Sequence, residues 1–202
     1  ISPILLKEAL KTSVNLSYNR ISVDGDSSTN DMVLIMANGL ANNETILEKN
    51  DDFNLFLEAL TLLNIYLAKK IAKDGEGATK LIECTVKNAP SIENAEVLAK
   101  SVINSNLVKA AIFGSDANWG RILCALGYAD IEFDPEKVDV RFESSAGEIV
   151  VCKNGLPTNF DESKAKKILL QDEIKILIDM KQGLSEVTTW GCDLTYDYVK
   201  IN

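Results

Sequence analysis

No histidine occurs anywhere in the 202 residues. No imidazole of this chain can therefore act as a base, orient a nucleophile or ligate a metal. A Ser-His-Asp or Cys-His site built from these residues alone is excluded. Cysteine is sparse as well: Cys84, Cys124, Cys152 and Cys192 stand far apart and form no CxxC, so zinc-type spacing and a redox pair are both absent. They are expected to be reduced, mostly buried thiols of a cytosolic protein, with one reactive thiol as the alternative. No apolar run is long enough to span a bilayer, and no signal peptide opens the chain. Basic charge is short, with 21 Lys and Arg against 30 Asp and Glu and a net charge of -9. That balance argues against nucleic-acid or anionic-membrane partners, which call for a basic face. It suits a cationic small molecule, although many cytoplasmic proteins are acidic. The first residue is Ile1 rather than Met, so the expectation is a processed product or a segment.

What is present is enough for a sizeable core: 46% of the residues are hydrophobic, and the length fits one large domain or two small ones. Ser2-Pro3 reads as a helix start, with apolar positions running to about Leu16. Arg20 to Val23 reads as a short strand, and Met32 to Ala37 as a buried strand ended by Asn38-Gly39. Asp51-Asp52 is the expected cap of a long helix, about Phe53 to Lys73, with enough apolar positions to be buried on more than one side. Leu81 to Lys87 is a strand and Pro90-Ser91 starts another helix. Leu107 to Phe113 reads as a buried strand leading into Gly114 and then a helix from Trp119 to Tyr128. Beyond Pro135 strands dominate: Val138 to Phe142, Glu148 to Lys153, Glu173 to Met180, and one or two between Ser185 and Asn202, with a helix at Glu162 to Leu169. Helices and strands mix throughout, so the expected class is α/β or α+β, one compact unit over 1–202 that is richer in strands from about 135.

Three polar stretches interrupt this pattern. Asp74-Gly75-Glu76-Gly77 follows the long helix, and Glu76 between two glycines is a candidate for holding an ammonium group, since backbone there can approach a ligand closely. The bland alternative is a solvated carboxylate at a helix C-terminus, where glycine is expected anyway. Asp24 to Asp31 is rich in turn formers; it is a site wall, a plain connection, or a calcium loop, and the last is disfavoured by the lack of flanking helices and of a terminal glutamate. Ser115-Asp116-Ala117-Asn118 ahead of a helix is either an anion-binding corner or simple capping. Trp119 and Trp190 suit core or chain-interface packing, and Arg121 suits an anion or, preferably, an internal carboxylate.

The blocks Asn19–Asp31, Asp74–Lys80, Gly114–Arg121 and Thr189–Asn202 occur in the order, and with the residues, of one family. Together they resemble ornithine acetyltransferase, the bifunctional arginine-biosynthesis enzyme also called glutamate N-acetyltransferase. The resemblance spans nearly the whole chain and matches the β chain of a precursor that cuts itself ahead of a threonine. It implies an N-terminal-nucleophile-like αββα sandwich completed by a separate α chain, assembled as an α2β2 heterotetramer in the cytoplasm. It implies ping-pong acetyl transfer from N2-acetylornithine to glutamate, with the threonine as nucleophile and its own amine as base, a scheme that needs no histidine. No cofactor is implied, and acetyl-CoA is an alternative donor. Two positions carry over as substrate-binding: Glu76, on the substrate amino group, and Asn202. The nucleophile is expected just upstream of Ile1, and a final Thr or Ser of the family pattern would follow Asn202. Ala117 stands where the family more often has proline. A self-cleaving amidase or aminopeptidase of similar architecture, and a non-catalytic amino-acid-binding domain, are the competing readings.

Overall fold

The computed structural model describes residues 1–202 and is organised around one mixed, seven-stranded sheet. In chain order the helices are α1 (Pro3–Asn15), α2 (Asp51–Lys73), α3 (Ile92–Asn104), α4 (Asn106–Phe113), α5 (Trp119–Gly127), α6 (Glu162–Leu169) and α7 (Tyr196–Ile201). The strands are β1 (Ile21–Ser22), β2 (Leu81–Ala89), β3 (Asp139–Ser144), β4 (Gly147–Lys153), β5 (Leu156–Pro157), β6 (Glu173–Asp179) and β7 (Ser185–Cys192), laid out as β1-β7-β2-β6-β3-β4-β5. The expected α/β layering is what forms.

Alternation along the strands sorts the two faces of the sheet. Ile82, Cys84 and Val86 of β2, Ile174, Ile176 and Ile178 of β6 and Val140 and Phe142 of β3 all point into the main core. There they meet α3, α5 and α6 through Leu98, Val102, Ile122, Leu126 and Ile168. Burying aliphatic side chains at roughly 1.5–3 kcal/mol each makes this layer the dominant stabilising element. The opposite face is divided. Over β7 and the start of β2 it is covered by α2, where Ala72 and Ile65 pack on Leu81, Trp190 and Ile21. Further along it is charged, with the pairs Lys69–Glu83, Lys73–Glu173 and Lys175–Glu143 along the open surface. Helices α1 and α2 run side by side, joined at one end by Leu5, Ala9 and Phe53 and further along by a hydrogen bond from the Asn64 amide to Ser13 Oγ at 2.9 Å.

Several expectations fail, each for a physical reason. Leu107–Phe113 is helical, not a strand: Ser105 caps it at the start, and the Lys80 ammonium donates to the Ile112 carbonyl at its end. The chain after Cys192 forms no second strand but the short helix α7, capped by Thr195 Oγ1, which accepts from the N–H groups of Asp197 and Tyr198. The cap of α2 is Asn50, accepting from Phe53 N, so Asp51 and Asp52 already lie in its first turn. That helix is buried on one side only; Leu55, Leu62, Leu63 and Tyr66 are exposed. Met32–Ala37 forms no regular element and belongs to no sheet, and its apolar side chains are mostly exposed. Among the thiols, Cys84, Cys152 and Cys192 are buried as expected and Cys124 is exposed. No helix is long and apolar enough to cross a membrane.

Candidate functional site

The polar blocks, dispersed along the sequence, converge at one corner of the sheet where β7 ends and β2 begins. The hub is Asp193, 3% exposed, immediately after β7. Its carboxylate accepts from Thr79 N at 2.8 Å, Thr79 Oγ1 at 2.5 Å and Lys80 N at 3.0 Å. A buried carboxylate with three short donors is strongly held, and it clamps the exit of the Glu76 loop to the end of β7. Lys80 extends the clamp: besides the α4 carbonyl it donates to Ser115 Oγ at 2.8 Å, and Ser115 in turn donates to the Leu169 carbonyl. Burial pushes the Lys80 ammonium below the ordinary lysine value, against the opposing pull of Asp193 and Asp172. Lys109, 2% exposed, donates through Nζ to the Val23 carbonyl and ties the start of the Asp24–Asp31 loop to α4.

The two glycines flanking Glu76 are required, though not for a ligand. A Cβ on Gly75 would come within 2.9 Å of both Cys192 Sγ and Val23 Cγ1. A Cβ on Gly77, whose φ is +67, would lie 2.7 Å from Tyr198 N. The loop is therefore pressed against the β7 end and α7, and the Gly77 carbonyl accepts from Thr195 Oγ1 at 2.7 Å. Pinned at both sides, the loop leaves Glu76 exposed, and its carboxylate is in no hydrogen bond or ion pair of the chain.

Tyr198 marks where Glu76 lies. Its hydroxyl donates to Asp24 Oδ2 at 3.3 Å. Its ionisation is pushed above the ordinary phenol value, by desolvation first and then by the charges of Asp24, Glu76 and Asp26. Asp24 is the carboxylate on that hydroxyl, and the contact of Gly77 with the Tyr198 backbone brings the Glu76 loop against α7. Asn202 lies one turn beyond Tyr198 on α7, its amide donating to the Tyr198 carbonyl at 3.1 Å. The two carried-over positions, Glu76 and Asn202, therefore flank the same tyrosine.

The other candidates make contacts within the chain. Within the 24–31 loop, Asp24 Oδ1 accepts from Asp26 N, and Ser28 Oγ accepts from the N–H groups of Asn30 and Asp31, so these side chains bond the loop's own backbone. Asn118, not Ser115 or Asp116, caps α5, accepting from Arg121 N. Arg121 forms no ion pair with a carboxylate of the chain; Nη1 donates to the Leu107 carbonyl at 2.8 Å. Trp190 is buried, with its indole N–H on Glu83 Oε2 at 2.9 Å. The Cys192 thiol is pushed up by burial and stays protonated at neutral pH, as do Cys84 and Cys152. No group of three or more metal-ligating side chains is present.

Residues 1–202 match the ArgJ family along their whole length. The chain belongs to the ArgJ family. It is 56% identical over 202 residues to arginine biosynthesis bifunctional protein ArgJ 1 of Clostridium acetobutylicum, covering all of this chain and 50% of that protein. It is 54% identical over 202 residues to the ArgJ protein of Thermotoga neapolitana, covering 51% of it. The crystal structure of arginine biosynthesis bifunctional protein argJ from Bacillus halodurans matches with a TM-score of 0.94 at 48% identity, over 100% of this chain and 93% of that one. The chain spans about half the length of the curated relatives it matches. The ArgJ likeness supports the N-terminal-nucleophile-like fold class that the sequence blocks implied.

Sequence reasoning passed over Asp193, Lys80, Lys109 and Tyr198. For Asp193 a signal existed: an acid directly after an apolar strand and before a capping threonine is placed to be buried. Nothing local marks Lys80 or Lys109, whose burial depends on the α4 and 24–31 segments reaching them.

Proposed function

We propose that this chain is the β-chain portion of a cytoplasmic ornithine acetyltransferase, which moves an acetyl group from N2-acetylornithine to glutamate in arginine biosynthesis. The observation that carries the reading is the exposed, unpaired Glu76 carboxylate in a loop packed on α7, the helix capped by Asn202, in a chain of the ArgJ family. Each substrate carries one ammonium group, at the end of the side chain in N2-acetylornithine and at the α-carbon in glutamate, and a charge-assisted contact to Glu76 is worth about 1.5–3 kcal/mol. Asn202 adds neutral donors and an acceptor on the same side.

The reaction proposed is a two-step acyl transfer. A threonine hydroxyl outside these residues attacks the acetyl carbonyl of N2-acetylornithine, its proton passing to the threonine's own amine, and ornithine departs. The glutamate amine then attacks the resulting ester and regenerates the threonine. Donors for the oxyanion of each step come from an α chain, in an α2β2 assembly. The scheme uses no metal or bound cofactor, and acetyl-CoA is a second candidate donor.

The structure sets one requirement on this scheme. Ile1 packs with Leu5 and Phe53 where α2 begins, whereas Glu76 follows the end of that 23-residue helix. The separation is close to the helix length, about 34 Å. A threonine that serves Glu76 from the N-terminal side must therefore stand on the order of ten extended residues ahead of Ile1, not directly before it. The test is to express the full-length gene, purify the product and supply N2-acetylornithine with and without glutamate. Acetylglutamate formed with stoichiometric ornithine supports the proposal; release of free acetate that glutamate does not suppress would make the protein an amidase instead.

A further inference from the structure

Lys109 is a charged residue at a position where packing alone calls for none. It projects from α4, is 2% exposed, and its side chain makes one hydrogen bond in the chain, from Nζ to the Val23 carbonyl. Lysine is seldom buried to that extent, because the ammonium loses its hydration and brings three donors to be satisfied. Methionine, of similar length, would fill the space with no charge to desolvate. What the charge is for is therefore to be sought at its acceptor. The Val23 carbonyl also accepts from Cys192 Sγ at 3.7 Å, so donors from α4 and from the end of β7 converge on one oxygen.

Val23 stands where it bears on Glu76. A Cβ on Gly75 would lie 2.9 Å from Val23 Cγ1 and 3.3 Å from Val23 Cγ2, so both methyl groups back onto the residue before Glu76. Asp197 and Tyr198 do the same to Gly77, the residue after it. Val23 is also the last tethered point of its own segment. Beyond it no backbone group bonds to another backbone group until Gly39, whose carbonyl accepts from Asn42 N. A shift of Val23 would move Asp24 in one direction along the chain and release the support of Gly75 across it.

We infer that Lys109 is a positioning residue for the proposed substrate site: through the Val23 carbonyl it fixes the surface against which Gly75 lies, and so sets where the Glu76 carboxylate is held. The inference rests on the ornithine acetyltransferase reading, with Glu76 as the acceptor of the substrate ammonium. Lys109 itself touches no substrate. It acts at two removes, α4 to Val23 and Val23 to Gly75, and ties a loop to a helix in the way a precise site requires. A charge-assisted hydrogen bond holds that carbonyl harder than an apolar contact could.

The test is a double-mutant cycle in steady-state acetyl transfer, on proteins made from the full-length gene. Lys109→Met should lower kcat/KM for N2-acetylornithine by about tenfold. In a Glu76→Gln background the same change should alter kcat/KM by less than about twofold, because no carboxylate is left to misplace. Val23→Ala removes the methyl groups from Gly75, keeps the carbonyl and disturbs only a half-buried side chain. It should show the same pattern with a smaller loss, and it decides the matter if Lys109→Met does not fold. Equal losses in the two backgrounds overturn the inference and leave the Glu76 reading intact, since Lys109 then acts on overall stability or on the substrate directly. Undiminished transfer by a folded Lys109→Met protein overturns it as well. Wild-type kinetics in the Glu76→Gln protein remove both the inference and the reading beneath it.

Discussion

Two apolar stretches of this chain meet opposite fates. Met32–Ala37 is apolar throughout, whereas Ile82–Val86 in β2 carries Glu83 and Thr85 between its apolar positions; yet it is the latter that is at the centre of the sheet, with Ile82, Cys84 and Val86 fully buried, while the former is mostly exposed with its backbone unpaired. The difference lies in the surroundings. Strand β2 is flanked by β7 and β6 and covered by α3, all supplied by these 202 residues. The Met32 segment and the outer side of α2, with Leu55, Leu62 and Tyr66, have no such neighbours here. The candidate site sits between these regimes: its anchors, Asp193, Lys80 and Lys109, belong to the buried region, and Glu76 and the 24–31 loop face outward.

That contrast can be broken at its strongest point first. Asp193→Ala removes the acceptor of three hydrogen bonds and strands the buried Lys80 N–H, so it should cost roughly 3 kcal/mol, read as a shift in urea midpoint of the full-length protein. An unchanged midpoint would mean that the corner is not held as described. Next, Gly77→Ala places a Cβ against Tyr198 N at a positive φ, and should cost about 2 kcal/mol of strain or displace α7, seen as loss of slow exchange at Tyr196–Ile201. The smallest effect concerns Glu83 on the charged face. Burial raises its carboxyl, but hydrogen bonds from Lys69 and Trp190 outweigh that and hold it below the ordinary carboxylate value. A lowered folded value means that the stabilisation is fully present above the unfolded value and fades as pH falls through the folded one. Glu83→Gln should therefore cost about 1 kcal/mol at pH 7 and progressively less in acid, with the two unfolding curves converging as pH falls below the ordinary carboxylate range.

Wherever a pattern was completed by near neighbours it could be read without coordinates. Helix α6 lies at Glu162–Leu169 as expected, Ser2 and Ser91 cap the helices they were assigned, and Ile174, Ile176 and Ile178 face the core. Errors fall where distant residues decide. The β-branched and apolar run of Leu107–Phe113 favours a strand locally, but Lys80, 32 residues away from Ile112, closes its last turn as a helix. Ser105 ahead of it and Thr195 ahead of α7 were cap signals that could have corrected both errors. In the site, Glu76 was singled out because of its glycines, and the glycines turn out to serve contacts with Cys192 and Tyr198. Their spacing pointed to the loop correctly while the reason for it was long-range packing. No local feature disclosed Tyr198 as the neighbour of Asp24, since 174 residues separate them.

The central claim is that a carboxylate fixed in place by the fold, and left without a partner, receives the ammonium of an amino-acid substrate. The most direct measurement compares steady-state acetyl transfer from N2-acetylornithine to glutamate for the wild type and Glu76→Gln, both made from the full-length gene, alongside their thermal midpoints. The account predicts a loss of at least about tenfold in kcat/KM with the midpoint unchanged, because Glu76 makes no hydrogen bond or ion pair to its own chain. Wild-type kinetics in a folded Glu76→Gln protein would contradict it.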